Sequence, residues 1–189
     1  CPPADLPDDD VVERMLADCQ ERLAAHGFRQ YEVSAYARGS TECQHNLNYW
    51  RFGDYLGIGA GAHGKLSNAA TGAIVRTVRE REPRRYLERG ASAAPTALPV
   101  SPAQRPFEFM LNALRLREGF AAALFEERTG LAWSAVSDTV ERLQRRGLLS
   151  QHGERWAASP QGWRFLNDLL TEFLPAAAEM PLTAVRKKT

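Results

Sequence analysis

Residues 45–64 read HNLNYWRFGDYLGIGAGAHG. His45 and His63 bracket the stretch, Tyr49, Trp50 and Tyr55 supply three rings, and five glycines follow or interrupt them. These residue types suit three kinds of chemistry. An imidazole binds iron or zinc through one nitrogen while the other donates to a carbonyl or carboxylate. Aromatic rings offer flat apolar walls to a planar ligand. Glycine lets main chain approach a flat or anionic group closely and adopt positive φ angles.

Each possibility has a plainer counterpart. His45, flanked by Cys43, Asn46, Asn48, Tyr49 and Trp50, is the best single ligand candidate, but the same residue can cap a turn or pack on Tyr49. Cys43 and His45 form only a C-x-H pair. The three cysteines, Cys1, Cys19 and Cys43, are 18 and 24 residues apart, which matches neither a four-ligand zinc site nor an iron–sulfur motif. Cys43 therefore reads as a free thiol. GIGAGAHG resembles the start of a dinucleotide fingerprint, yet no long amphipathic helix follows to hold a pyrophosphate. It reads either as a surface for something planar or as a sharp bend between strands. Asp54 could orient His45 or His63, although a turn cap at Gly53 is its commoner role.

The elements that must position these groups follow from pattern. Asp8, Asp9 and Asp10 start a helix, Val12, Met15, Leu16, Cys19 and Leu23 recur along it, and Gly27 ends it. FRQYEVSAY alternates as one strand, giving a single αβ step. KLS and GAIVRTVR form two strands around NAATG, and EPRRYLERG forms a short helix. Residues 91–102, rich in Ala, Pro and Ser without charge, read as a linker. Beyond it, Phe107, Met110, Leu111, Leu114 and Leu116 stripe a helix up to Gly119. AAALFEERTG is a second helix and WSAVSDTVERLQRRG a third. LLSQHGERWAAS forms a hairpin, and SPQGWRFLNDLLTEFL is a last helix. That order is winged-helix-like. Arg142, Arg145 and Arg146 lie at the third helix's C-terminal end, where cations are welcome anyway. Its N-terminal half lacks base-reading side chains, so no nucleic-acid partner is expected.

Composition is that of a folded soluble protein: 189 residues, 44% apolar, 25% charged and a net charge of +1. No apolar run spans a membrane and no signal peptide opens the chain. The expected setting is the cytoplasm. The start at Cys1, on the loop-like run CPPADLPDDD, suggests a piece of a longer protein.

YEVSAYAR, CQHNLNYWRFGDYLGIGAGAHGKLS, PFEFMLNALRLREGF and GWRFLNDLLTEFL together resemble the HemW family, from about Pro7 to about Leu174. Its members are radical S-adenosylmethionine proteins, long labelled oxygen-independent coproporphyrinogen III oxidase-like and regarded as cytoplasmic haem chaperones. HNxxYW, here His45, Asn46, Tyr49 and Trp50, separates that family from true coproporphyrinogen oxidases. The resemblance implies an α/β plus α fold. Residues 1–90 would be the C-terminal end of a partial (β/α) radical-SAM barrel with the glycine loop and a small hairpin. A linker would occupy 91–102, a winged-helix-like helical domain 103–175, and a tail 176–189.

It also implies haem, S-adenosylmethionine and a [4Fe–4S] cluster, the last held by a C-x-x-x-C-x-x-C motif absent from this sequence. His45 would be the axial haem ligand, with Tyr49 and Trp50 as walls and Asn46 beside them in the motif; His63 stays an alternative ligand. Gly59, Gly61, Ala62 and His63 would lie nearest S-adenosylmethionine. The partner implied is a haem-accepting protein, a respiratory one among the options. The rival activity is oxidative decarboxylation of a porphyrinogen.

Overall fold

The computed structural model describes residues 6–90 and 93–175. Cys1, two residues of the expected linker and the expected tail 176–189 lie outside the described residues. The chain divides into two compact units, 1–44 and 45–189.

In the first unit, α1 (Asp9–Ala25) begins as its aspartates require: the Asp8 side chain accepts from the Val11 N–H at 2.8 Å. Gly27, at φ 78°, turns the chain out of the helix. The apolar stripe of α1 is not buried; Val12, Met15 and Leu16 are all exposed. The single strand expected over FRQYEVSAY is instead a hairpin, β1 (Phe28–Glu32) paired antiparallel with β2 (Ala35–Arg38). A local hydrogen bond overrides the alternation. Glu32, 2% exposed, accepts from both the N–H and the Oγ of Ser34, at 2.9 and 2.8 Å, which folds Val33–Ser34 into a turn. Arg38 closes this unit by donating to the His26 carbonyl at 2.8 Å.

The second unit opens with α2 (Gln44–Trp50) and then carries a three-stranded antiparallel sheet, β3 (His63–Asn68), β4 (Ala73–Val78) and β5 (Thr96–Val100), in that order. α3 (Pro83–Arg89) lies between β4 and β5, capped by the Glu82 carboxylate on the N–H groups of Arg84 and Arg85. β5 corrects the expected linker. Ala97 and Leu98 pair with Thr77 and Arg76, and Val100 opposite Ile74 is buried. Within that stretch residues 96–100 are strand, and Pro99 is tolerated because β5 is an edge strand.

The helical part follows: α4 (Arg105–Ala113), α5 (Ala122–Thr129) and α6 (Ser137–Arg145), then the hairpin β7 (Leu149–His152) and β8 (Arg155–Ala158), with β6 (Phe120–Ala121) added along β8. The expected third helix starts as a 3-10 turn at Trp133–Ala135 before α6 begins. The expected last helix is broken into α7 (Pro160–Arg164) and α8 (Leu166–Thr171), because Phe165, at φ −113° and ψ 35°, leaves the helical region.

Phe109 on α4 is the hub of the core. Fully buried, it meets Phe52, Phe120 and Phe125 edge-on, at 5.8, 5.0 and 5.3 Å between ring centroids. Met110, Leu114, Val140, Leu143 and Leu169 close around it. Phe109→Ala is expected to cost about 3–5 kcal/mol, read as a lower urea midpoint with an unchanged denaturant slope.

Candidate functional site

α2 carries the HNLNYW motif. Leu47 is its one buried residue, and the exposed His45 and half-buried Tyr49, four apart, share one face. Their rings meet edge-on at 4.5 Å, and Tyr49 meets Tyr55 edge-on at 4.2 Å. Tyr55 in turn accepts a hydrogen bond on its hydroxyl from Arg76 Nη1 at 3.0 Å. Arg76 is paired with Glu108 of α4, its Nε donating at 3.1 Å. A row of contacts thus runs from the His45 imidazole to α4. The imidazole itself is exposed and makes no hydrogen bond to a described residue. The packing of His45 on Tyr49 is therefore real, and it leaves the ring nitrogens accessible.

Trp50 differs from the expectation of an open wall. It is half-buried, and the Arg115 guanidinium covers one face of its ring at 4.3 Å from the centroid. Its Nε1–H is buried without a hydrogen-bond partner. The neighbouring Arg51 shares Glu118 with Arg155, each at 3.1 Å. The C-terminal end of α2 is thereby tied to the turn after α4.

Phe52 then reverses the chain. It is a non-glycine residue at φ 56° and only 1% exposed. The turn is clamped by Asn48, whose Nδ2 donates to the Asp54 carbonyl at 2.9 Å while its own carbonyl accepts from Gly53 at 2.8 Å. Asp54 does not orient a histidine. Its carboxylate accepts from Lys65 Nζ at 2.8 Å and from the Ser67 N–H and Oγ at 2.7 and 2.8 Å. Lys65, its side chain 1% exposed, also lies over the Phe52 ring at 4.2 Å. Burial acts to raise the Asp54 pKa, but the hydrogen bonds from Lys65 and Ser67 outweigh it and hold the carboxyl below the ordinary range. Burial pushes the Lys65 ammonium down, opposed by Asp54.

The glycine loop runs from here to β3. Tyr55 and Lys65 exchange backbone hydrogen bonds at 2.9 and 3.0 Å, closing its base. A Cβ on Gly57 would lie 2.4 Å from the His63 carbonyl oxygen, so the strands approach here as no other residue allows. Gly59 and Gly61 have φ of 105° and 70°, and nothing lies within 4 Å of the position a Gly59 side chain would take. Main chain is thus open at Gly59. Gly61 donates to the Glu80 carbonyl at 2.7 Å, and Ala62 accepts from the Arg79 N–H at 2.9 Å. Between the glycines, Leu56 and Ile58 project into solvent, 74% and 85% exposed. The exposed His63 begins β3 opposite Val78. The structure unites His45 with Tyr49 and Tyr55, and His63 with Gly57 through the backbone.

Among the described residues no group of three or more His, Cys, Asp or Glu side chains is arranged to hold a metal ion, and Cys19 and Cys43 are free and exposed. These residues do not fit an iron–sulfur cluster. They do fit a ligand that needs one accessible imidazole, apolar surface and bare main chain.

The sequence resembles those of known proteins. Residues 100–165 match the model of the HemN C-terminal domain. "Heme chaperone HemW" of Haemophilus influenzae is 41% identical over 172 residues, covering 91% of this chain and 44% of that protein. "Heme chaperone HemW" of Escherichia coli is also 41% identical, over 177 residues, covering 91% and 45%. "Radical S-adenosyl methionine domain-containing protein 1, mitochondrial" of Bos taurus is 31% identical over 183 residues, covering 92% and 41%. The fold matches the solved structure titled "Coproporphyrinogen III oxidase (HemN) from Escherichia coli is a Radical SAM enzyme", with a TM-score of 0.62, 14% identity, and coverage of 90% of this chain and 42% of that one. The fold is mixed α/β and includes a HemN-type C-terminal domain. By sequence the chain is similar to the C-terminal half of HemW proteins. It spans about 44% of the length of the Haemophilus influenzae relative.

Lys65, Arg76, Glu108 and Phe52 hold the site together and were not among the expected residues. Lys65 and Arg76 are charges on strands that alternate toward the core, the one signal that could have singled them out. Asp54→Asn leaves the Lys65 ammonium without its anion and is expected to cost about 1–3 kcal/mol, more than Lys65→Met, which removes the buried charge itself. The depressed Asp54 pKa contributes stability that is complete above the unfolded carboxyl value of about 3.9. It is lost as pH falls through the lower folded value. Asp54→Asn removes this acid limb, as urea midpoints measured from pH 2 to 6 would show.

Proposed function

We propose that this chain is the haem-handling half of a radical S-adenosylmethionine haem chaperone. One observation carries the reading: on α2 the His45 imidazole is exposed, unbonded and braced edge-on by Tyr49, within the HNxxYW motif. Leu56 and Ile58, exposed on the loop that follows Tyr55, are apolar surface of the kind a porphyrin covers. In this reading haem is cargo. His45 supplies a neutral imidazole lone pair to the iron, Tyr49 fixes the ring's tilt, and Tyr55, Arg76 and Glu108 keep Tyr49 in place. Asn46 belongs to the same motif, and Trp50 acts as an anchor of α2 to Arg115 more than as a wall. Release to a haem-accepting protein needs a bond that can exchange, and a single exposed ligand suits that.

The glycine loop supports a second part of the reading. Gly59, Gly61, Ala62 and His63 would lie against S-adenosylmethionine, where ligand touches main chain. In radical S-adenosylmethionine proteins that ligand completes the coordination of the cluster. The cluster's thiolates belong outside the described residues. In this reading residues 1–90 would derive from the end of a partial (β/α) barrel, although the sheet pairings of their described strands are antiparallel, while the order of α4–α6 and β6–β8 supports a winged-helix-like domain. The cytoplasm is the proposed setting, consistent with free, exposed Cys19 and Cys43. No helix among the described residues is long and apolar enough to cross a membrane.

The test is a haem titration followed at the Soret band. The wild type is expected to bind, His45→Ala to weaken binding at least about tenfold, equivalent to about 1.4 kcal/mol, and His63→Ala to bind as the wild type does. Equal affinity in the wild type and His45→Ala overturns the assignment of His45. Full loss in His63→Ala alone transfers it to His63. Gly61→Val forces a β-branched side chain to φ 70°. It should weaken S-adenosylmethionine binding in equilibrium dialysis while leaving the far-UV circular dichroism unchanged.

A further inference from the structure

Beyond the glycine loop, between the end of β4, α3 and the start of β5, lies a cleft of about 360 Å³. Its polar lining is cationic, with Arg79, Arg81 and Arg89 against the single carboxylate of Glu80, and Tyr86 and Leu98 give it apolar wall. Glu80 is already engaged. Its Oε1 accepts from the N–H groups of Arg81 and Glu82 at 3.1 and 3.4 Å, and its Oε2 faces Arg89 at 3.4 Å. Arg79 has a structural task, donating to the carbonyls of Gly57 at 3.3 Å and Ala93 at 2.6 Å. Arg81 differs: its exposed guanidinium has no ion pair or hydrogen bond with a described residue. The same segment is laddered to the glycine loop, through Gly61 to the Glu80 carbonyl and through the Arg79 N–H to Ala62. A ligand lying on the open main chain at Gly59 therefore has a cationic cleft within the same substructure.

We infer that this cleft receives a carboxylate of the haem that the reading above lays on the exposed Leu56 and Ile58, with Arg81 and Arg89 as its partners. A guanidinium fork matches a carboxylate in two parallel hydrogen bonds, and the apolar wall suits a short acid chain on an apolar body. The choice of ligand rests on the haem reading above. The carboxylate has two possible sources, a porphyrin propionate or the amino-acid end of S-adenosylmethionine, and the propionate is the expected one.

The experiment compares haem with haem dimethyl ester in the wild type, Arg81→Gln, Arg89→Gln and the double variant. S-adenosylmethionine against its decarboxylated analogue is measured in parallel, and a thermal melt controls for folding. The wild type is expected to prefer haem to the ester at least tenfold. The double variant should lose that preference while binding the ester as before. If the preference instead appears for S-adenosylmethionine and vanishes in the double variant, the cleft is a carboxylate site serving that ligand. If wild type and double variant show the same preference, or none, for both pairs, the inference is overturned. When haem still binds in that case, the haem reading survives; when the wild type binds no haem at all, that reading fails by itself and the S-adenosylmethionine arm decides the cleft. Should the double variant melt early, Arg81→Gln alone decides, because its side chain has no partner to lose.

Discussion

The burial of one phenylalanine in an unfavourable backbone conformation governs this part of the molecule. Phe52 sits at φ 56°, a region that costs an L residue about 1–2 kcal/mol. Its ring is almost completely buried, against Phe109 on one side and beneath the Lys65 ammonium on another. Full burial of such a side chain is favourable by about 1.5–3 kcal/mol, which is enough to hold the turn. A glycine would adopt the angle freely but would leave a void beside Phe109. A phenylalanine in the ordinary helical region would send α2 elsewhere. The direction of α2, and with it the bearing of His45, depends on this residue.

From that anchor the supports spread in two directions. Tyr55, just after the turn, steadies Tyr49 and is itself held by the Arg76–Glu108 pair. Asp54, just before Tyr55, reaches across to Lys65 and Ser67 on β3. An ion pair whose cation is buried, as Lys65 is here, adds little net stability against an apolar replacement. Its use here is placement, because Asp54 cannot satisfy Lys65 and Ser67 together unless the loop base lies in one position. The two exposed groups, His45 and the open main chain at Gly59, are thus carried on a framework whose polar members are fully engaged.

Much of this was legible in the sequence because local rules were obeyed. The α1 start at Asp8, the strands around NAATG, the Pro83 helix and the β7–β8 hairpin follow from caps, turns and alternation. The failures have local physical causes too. Ser34 is small and can hydrogen-bond to Glu32, so two residues turned one strand into two. Residues 96–100 lack the charge pattern of an exposed strand, and their partner, β4, lies some twenty residues upstream in the chain. Such pairing is not encoded locally. At the site, the motif residues His45 and Tyr49 and the glycines stood out by type. Phe52, Arg76 and Glu108 did not, since each looks ordinary until tertiary structure shows what it touches.

The position of β5 bears on how such proteins are assembled over evolutionary time. The HemN-type domain match begins at Val100, the last residue of β5, whose buried side chain is opposite Ile74 on β4. The module recognised by sequence and the module that folds are therefore offset by a whole sheet. A gene exchange at the apparent boundary would deliver the helices but split the Phe52–Phe109 ring contact and the Arg76–Glu108 ion pair between recipient and donor. Inheritance of the glycine loop and of the helical domain is thereby coupled, and the two halves of the second unit are constrained to vary together.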